Sequence, residues 1–362
     1  MKVSVIVAVY NVSVFLDKCI NSIIKLDDRV TEIIFVNDCS TDNSKEIILK
    51  YLSKDSRIKL VNHKKNLGLS SARNTGINLS TGDYVMFVDG DDYIISEQLE
   101  RLLDEVEGNN QPDGVWTGYI REDWNGIHNE DVHLKMGLWE KKEISKNFIP
   151  AIIGISYSKL YSWFRGEQTL NEKQEFPTVW RGLYSRRIIK KYHILFNTHV
   201  KTGEDILFNH LFYAYADNLY ITNCSFYCYV WRKGSLTQDT NYRFYQAKKL
   251  LVKERDLQNK QLVLEGKVDM SSEYQGTLVL SRLQMALILS QCKIKDFIGN
   301  FKMFIDYASI NSVKQAYKNL ILKDAPIKYK FVFGIAKLNM NFILFMGGFL
   351  LNKMNLHIYP DE

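Results

Sequence analysis

Along residues 1–239, short apolar runs alternate with longer stretches whose apolar positions recur at helical spacing. Val3–Val9 is almost continuously β-branched or apolar and ends at Tyr10-Asn11, which predicts a strand covered on both faces. Phe15, Leu16, Cys19, Ile20, Ile23 and Ile24 then line one face of a helix, with Ser13 as its expected N-cap. Glu32–Asn37 predicts a second strand, and the polar run Asp38–Asp42 should end it and cap a helix over Asn43–Leu52. Ile58–Val61 is a third strand. The turn Asn66–Ser70 leads to a helix over Ser71–Leu79, and Tyr84–Val88 is a buried strand after Gly82-Asp83. Ser96 should cap an acidic amphipathic helix, Glu97–Glu107, followed by a strand at Asp113–Thr117. Strands that alternate with helices predict an α/β fold with a largely parallel central sheet flanked by helices.

Residues 118–175 show no clear period apart from a helix around Ser145–Ile153, and read as variable loops. After Pro177 come the stretch Thr178–Ile189, a helix over Ile206–Ala214 behind Gly203-Glu204-Asp205, and closing strands at Leu219–Thr222 and Phe226–Val230. From Asn241 the pattern turns helical, which places a boundary near Asp239. Phe342–Leu351 is a ten-residue apolar run, half of the roughly 20 residues that a bilayer span requires. Lys330, Lys337 and Lys353 flank it. Such a segment suits the headgroup region of an anionic membrane, and equally a helix packed on the core.

Chemistry concentrates where Tyr84–Val88 runs into Asp89-Gly90-Asp91-Asp92, three carboxylates within four positions. Acids at the carboxyl end of a strand face the crevice in which open α/β sheets bind ligands. Asp89 and Asp91 share one side of an extended backbone and repel each other unless a proton or cation intervenes. A hard divalent ion such as Mg²⁺ or Mn²⁺, held by one or two carboxylates and a diphosphate, resolves this; an acidic turn with a helix cap is the simpler alternative.

Composition narrows the field. At 46% hydrophobic, 13% aromatic and 24% charged, the 362 residues describe a globular chain. A net charge of +6 suits an anionic ligand or a membrane surface but is too diffuse to indicate nucleic acid. Five cysteines without a C-x-x-C pair suggest neither a disulfide framework nor a zinc site, which makes a reducing, cytoplasmic setting the expectation. Val3–Val9 is too short for a signal-peptide core. A dinucleotide site is disfavoured by the lack of G-x-G-x-x-G, and nucleotidyl transfer by the lack of a glycine-rich basic loop after the first strand.

Five motifs stand in one order: Val9-Tyr10-Asn11, Val36–Asp42, Asn66–Gly76, Phe87–Asp92 and Gly203-Glu204-Asp205. Together they resemble the inverting family 2 glycosyltransferases of the GT-A fold, as found in bacterial surface-polysaccharide synthesis. The resemblance implies a catalytic domain over residues 1–239, with a nucleotide-sugar half at 1–117 and an acceptor-side half at 118–239. The residue pattern, beyond the reach of the resemblance, adds a helical region at 240–362, with 328–355 as its membrane-association candidate. The resemblance also implies a UDP-sugar donor, a divalent cation, and transfer of a hexose or N-acetylhexosamine to a hydroxyl of a glycan or lipid-linked oligosaccharide, at the inner face of the cell membrane. Tyr10 and Asn11 would border the nucleotide and Asp38 would accept the uracil N–H, although Asn37 replaces the first acid of the usual pair. Gly68 would permit close backbone approach. Arg73 would engage a phosphate or an acid of the site, or brace the Asp89 strand. Asp89 would serve the ribose and the metal neighbourhood, and Asp91 the metal. Arg232 and Lys233 would fold over the diphosphate. Asp205 would be the general base, with Glu204 orienting sugar hydroxyls or substituting for it; the pair also suits a helix N-terminus electrostatically. Self-association stays open. The alternative function is a non-catalytic sugar-nucleotide-binding or scaffold subunit of a glycan-assembly complex.

Overall fold

The structure, a computed structural model, describes residues 1–170, 174–231 and 242–353. The chain divides into two compact units, Met1–Ile152 with Glu175–Ser235, and Ile153–Gln174 with Leu236–Glu362.

The first unit is built on an eight-stranded sheet. Its strands are β1 (Val3–Val9), β2 (Val30–Asn37), β3 (Ile58–Asn62), β4 (Tyr84–Asp89), β6 (Gly114–Thr117), β9 (Gly137–Glu140), β10 (Gly182–Ser185) and β11 (Asn218–Thr222), in the order β3-β2-β1-β4-β10-β6-β11-β9. β3, β2, β1 and β4 pair in parallel, whereas β10 and β9 run antiparallel to their neighbours. The expected α/β class with a mostly parallel sheet is therefore observed. Every residue of β1 is buried, as its unbroken apolar run requires. The Ser13–Ile23 helix buries Leu16, Cys19, Ile20 and Ile23, and the Ser96–Gly108 helix buries Leu99, Leu102, Leu103 and Val106. Each such aliphatic side chain contributes roughly 1.5–3 kcal/mol on burial.

Three local expectations change. Ser96 does not cap the acidic helix but is its first residue; Ile95 takes the cap position, and Ser96 Oγ donates to Ser22 O at 2.8 Å. Ser13 does not cap its helix. Val12 occupies the cap position, and the Ser13 N–H donates to Asp42 Oδ2 at 2.9 Å, so a carboxylate from another loop does the capping. Residues 118–170 are also not a set of loops. They contain β7 (Tyr119–Asp123), β8 (Gly126–Glu130), β9, a helical run from Lys141 to Ile153 with a π-helical turn at Ile144–Phe148, and the helix Tyr157–Phe164. With β5 (Tyr93–Ile94) and β12 (Tyr227–Val230), β7 and β8 form a second sheet in the order β5-β12-β7-β8. These short strands lack a sequence period because β7 and β8 are only partly covered, and because β7 and β9 pair with β12 and β11, segments far away in the chain.

The second unit is helical. Tyr242–Leu264, Gln275–Ser290, Phe297–Ala308, Asn311–Asn319, Ile327–Lys337 and Asn341–Lys353 account for most of it, together with Tyr157–Phe164. Leu278, Val279, Met285, Leu289, Phe304, Tyr307 and Tyr317 are buried in it. Its last two helices bury Phe333, Ala336, Leu344 and Phe345 while leaving Ile327, Phe331, Phe342, Ile343 and Leu350 exposed. The segment thus packs into the unit through one set of apolar side chains and presents another to solvent. No helix among the described residues is long and apolar enough to cross a membrane.

Candidate functional site

The carboxyl ends of four parallel strands come level. Val9 pairs with Asn37, Asn37 with Asn62, and Ala8 with Asp89, so the loops after β1, β2, β3 and β4 open on one edge. β2 and β3 lie on one side of β1 and β4 on the other, which makes the β1/β4 boundary a topological switch point, where such sheets hold ligands. The first two loops are tied together. Asn11 adopts φ +53° and Cys39 φ +61°; the Thr41 N–H donates to Asn11 Oδ1 at 2.7 Å, and the Asn11 N–H to Ser40 Oγ at 3.1 Å. Asp42 accepts from the Ser13 and Ser44 N–H groups. Burial opposes its ionisation, but hydrogen bonds from Ser44 and Ser13 outweigh that and hold its carboxyl down to about 2. The Tyr10 ring stands 48% exposed beside this edge.

Asp38 is buried, and three groups converge on its carboxylate. His63 Nδ1 lies 2.6 Å from Oδ1, the Leu67 N–H donates to Oδ1 at 2.9 Å, and the Gly68 N–H donates to Oδ2 at 2.7 Å. His63 Nε2 is 3.0 Å from Thr75 Oγ1. Asp38 therefore clamps the loop after β3 to the end of β2, a task that sequence reasoning missed. The Leu67 N–H also reaches Oδ2 at 3.1 Å, so these partners take up most of the roughly four acceptor directions that a carboxylate offers. Gly68 has φ +88°, and a Cβ there would meet nothing within 4 Å, so conformation rather than crowding requires the glycine.

The Leu69–Leu79 helix carries Arg73 into the acids. It lies close on the sheet because Gly76 has no side chain: a Cβ there would sit 2.2 Å from Ile6 Cγ2. The buried Arg73 fork then spans two distant segments, with Nη2 donating to Asp89 Oδ1 at 2.8 Å and Nη1 to Asp205 Oδ1 at 2.7 Å. Glu204 Oε1 lies 3.5 Å from Nη1, and the Val179 N–H donates to Asp205 Oδ2 at 3.2 Å. Glu204 and Asp205 open the helix Glu204–Tyr215 behind Gly203, whose φ of +86° turns the chain into it. Burial, opposed by Arg73 and assisted by the Asp89 charge, raises the Asp205 carboxyl above its ordinary range. Burial and the Asp205 charge push Glu204 up to about 8. Carboxylates displaced upward in this way are suited to take a proton near neutrality.

At the other end of the acidic stretch, Asp92 is buried and accepts from the Tyr227 hydroxyl at 2.6 Å and the Val230 N–H at 2.8 Å. Tyr227 Oη in turn accepts the Asp89 N–H at 3.1 Å. Burial and the Asp89 charge push Asp92 up to about 8. No local signal marks this link, since 135 residues separate Asp92 from Tyr227. Asp89 and Asp91 remain half-buried, with oxygen donors of the kind that a hard divalent cation takes. No group of three or more His, Cys, Asp or Glu side chains among the described residues is arranged to hold a metal ion. A cation shared between these two acids and a diphosphate does not need such a group. Arg232 and Lys233 lie outside the described residues.

A family model described as glycosyl transferase family 2 matches residues 4–192. The glycosyltransferase EpsJ of Bacillus subtilis, itself uncharacterised, is 33% identical over 236 residues, which is 65% of this chain and 63% of EpsJ. The glycosyltransferase GlyA of Streptococcus pneumoniae is 34% identical over 243 residues, 66% of this chain and 32% of GlyA. The chain therefore spans less than two thirds of these relatives. Among solved structures, S. aureus TarS 1–349 in complex with UDP-GlcNAc superposes with a TM-score of 0.61 at 19% identity, covering 100% of this chain and 94% of TarS 1–349; at that identity the likeness is one of fold.

Proposed function

The chain belongs to glycosyl transferase family 2, and from that premise we propose that it transfers a hexose or N-acetylhexosamine from a UDP-sugar to a hydroxyl of a bacterial surface glycan, with inversion. The observation that carries this reading is the Arg73 fork, which holds an acid at the donor end of the site, Asp89, in one assembly with the acids at Glu204-Asp205. TarS, which shares the fold, binds UDP-GlcNAc, and this supports the choice of nucleotide. Tyr10, Asn11 and Asp38 would receive the nucleotide at the ends of β1 and β2, beside Gly68. Asp89 would hold the ribose. Asp91, with Asp89, fits a divalent cation, which when bound would neutralise the diphosphate as it leaves. Arg232 and Lys233 would close over the same diphosphate.

In a single displacement the acceptor oxygen bonds to the anomeric carbon as the bond to the diphosphate breaks, and the acceptor proton passes to a carboxylate. Asp205 takes that role. Arg73 Nη1 and the Val179 N–H fix its two oxygens while each keeps a free lone pair, and its raised pKa favours proton uptake. Glu204 orients sugar hydroxyls. The acceptor is lipid-linked, and the protein works at the inner face of the membrane, touching it through the exposed apolar face of its last two helices; exposed Lys330 and Lys337 suit an anionic surface. Nucleotide release from UDP- and GDP-sugars in Mg²⁺ or Mn²⁺ tests the reading. UDP should be released from at least one UDP-hexose or UDP-N-acetylhexosamine, and release from GDP-sugars alone would refute it.

A further inference from the structure

The first unit carries a pair of indoles for which the reaction above has no task. Trp124 stands at the tip of the β7–β8 hairpin and is 70% exposed. Its ring centroid lies 4.3 Å from that of Trp231, with the planes inclined at 58°. Both residues are firmly mounted. The hairpin closes through the pairing of Asp123 with Gly126, which has φ +126°, and the Asn125 N–H donates to Asp123 Oδ1 at 2.7 Å. The Trp231 N–H donates to Glu122 O at 2.8 Å, and the preceding Val230 N–H is the one bonded to Asp92. The pair therefore stands one residue along the chain from a contact with the acidic stretch.

Two inclined indoles form an apolar corner, and the hairpin that carries Trp124 also bears partly exposed charged side chains. Arg121 on β7 pairs with Asp123 and Glu130, and His128 Nε2 lies 3.3 Å from Asp123. This is the chemistry that a pyranose requires: its C–H face lies on an aromatic ring while its hydroxyls reach charged groups at the edge. Trp180 cannot serve in this way, because it is buried and stacked on Tyr227 at 4.4 Å and Tyr229 at 5.6 Å. We propose that Trp124 and Trp231 form a platform for a sugar ring of the acceptor glycan, beyond the hydroxyl that is glycosylated. The proposal rests on the reading of the chain as an enzyme that extends a glycan.

Saturation-transfer NMR on the full chain, with tetrasaccharides of glucose, galactose and N-acetylglucosamine as probes, tests it. Wild type should bind at least one probe. Trp124→Ala should weaken that binding by roughly tenfold or more, and Trp124→Phe, which keeps a ring, by much less. Unchanged thermal melting would show that the hairpin's loss of an exposed ring left the fold intact. Wild type binding no probe, or Trp124→Ala binding as tightly as wild type, overturns the platform. UDP binding by wild type, read in the same samples, separates the two levels: UDP bound without any probe defeats only the platform, while no binding of UDP defeats the donor reading.

Discussion

Replacing Arg73 by Met removes a cation that the structure places among three carboxylates. Its side chain is 3% exposed, and its nitrogens lie 2.8 Å from Asp89, 2.7 Å from Asp205 and 3.5 Å from Glu204. Breaking a buried pair by deleting one partner costs about 3–5 kcal/mol, because the remaining charges lose their compensation in a poorly solvated site. The acids can escape part of that cost by binding protons, which makes it depend on pH. Glu204 has a folded pKa of about 8 against an ordinary 4.5, and Asp205 is also raised, so both bind protons more tightly when folded. Stability from Glu204 is thus full below about pH 4.5 and is lost as the pH rises through about 8; for Asp205 the direction is the same. Without Arg73 both groups rise further. Urea unfolding should therefore show a small deficit for Arg73→Met at about pH 5 that grows toward the full 3–5 kcal/mol at about pH 8. Arg73→Lys keeps the charge but not the fork, and should fall between wild type and Arg73→Met. A deficit that stays below about 1 kcal/mol at the higher pH, or does not change with pH, would refute the idea that Arg73 holds these acids together.

Four further outcomes follow from the same geometry. Asp205→Asn should bind UDP-sugar nearly as wild type does while transfer falls roughly 10²- to 10⁴-fold, and transfer above about a tenth of the wild-type rate would remove Asp205 as the base. Asp91→Asn should lose most turnover and most metal-dependent UDP binding with the fold retained, an expectation that full wild-type turnover in EDTA would defeat. Gly76→Ala should lower stability by about 1–3 kcal/mol, since its methyl group would lie 2.2 Å from Ile6 Cγ2; an unchanged urea midpoint would show that the helix can lift without cost. The double variant Ile327→Glu/Phe331→Glu should abolish binding to anionic vesicles while sparing nucleotide release, because both side chains are exposed whereas deleting the segment would also remove buried Phe333 and Phe345; vesicle binding that survives the change would assign the contact elsewhere.

Apart from the two-residue β5, the order of strands and helices over residues 1–117 was legible in the sequence because each element is a local pattern. Val3–Val9 and Tyr84–Val88 are apolar without interruption since both faces are covered, and the Leu99, Leu102, Leu103, Val106 stripe of the Ser96–Gly108 helix repeats at the helical period. The place of the acidic stretch followed from the same logic, as Asp89 ends a buried strand. Only the tertiary structure decided what these acids meet. Arg73 reaches Asp205 across 132 residues, Asp92 reaches Tyr227 across 135, and Asp38 spends most of its capacity on His63 and the loop at Leu67-Gly68. The strands after residue 118 were hidden for a related reason. β7 and β9 gain their backbone partners from β12 and β11 near residue 225, and a strand stabilised by so distant a neighbour needs no period of its own. Periodicity records which face of a segment is buried, whereas a charge network or a distant strand pairing depends on which segments the fold brings together, and neighbouring residues carry no trace of that.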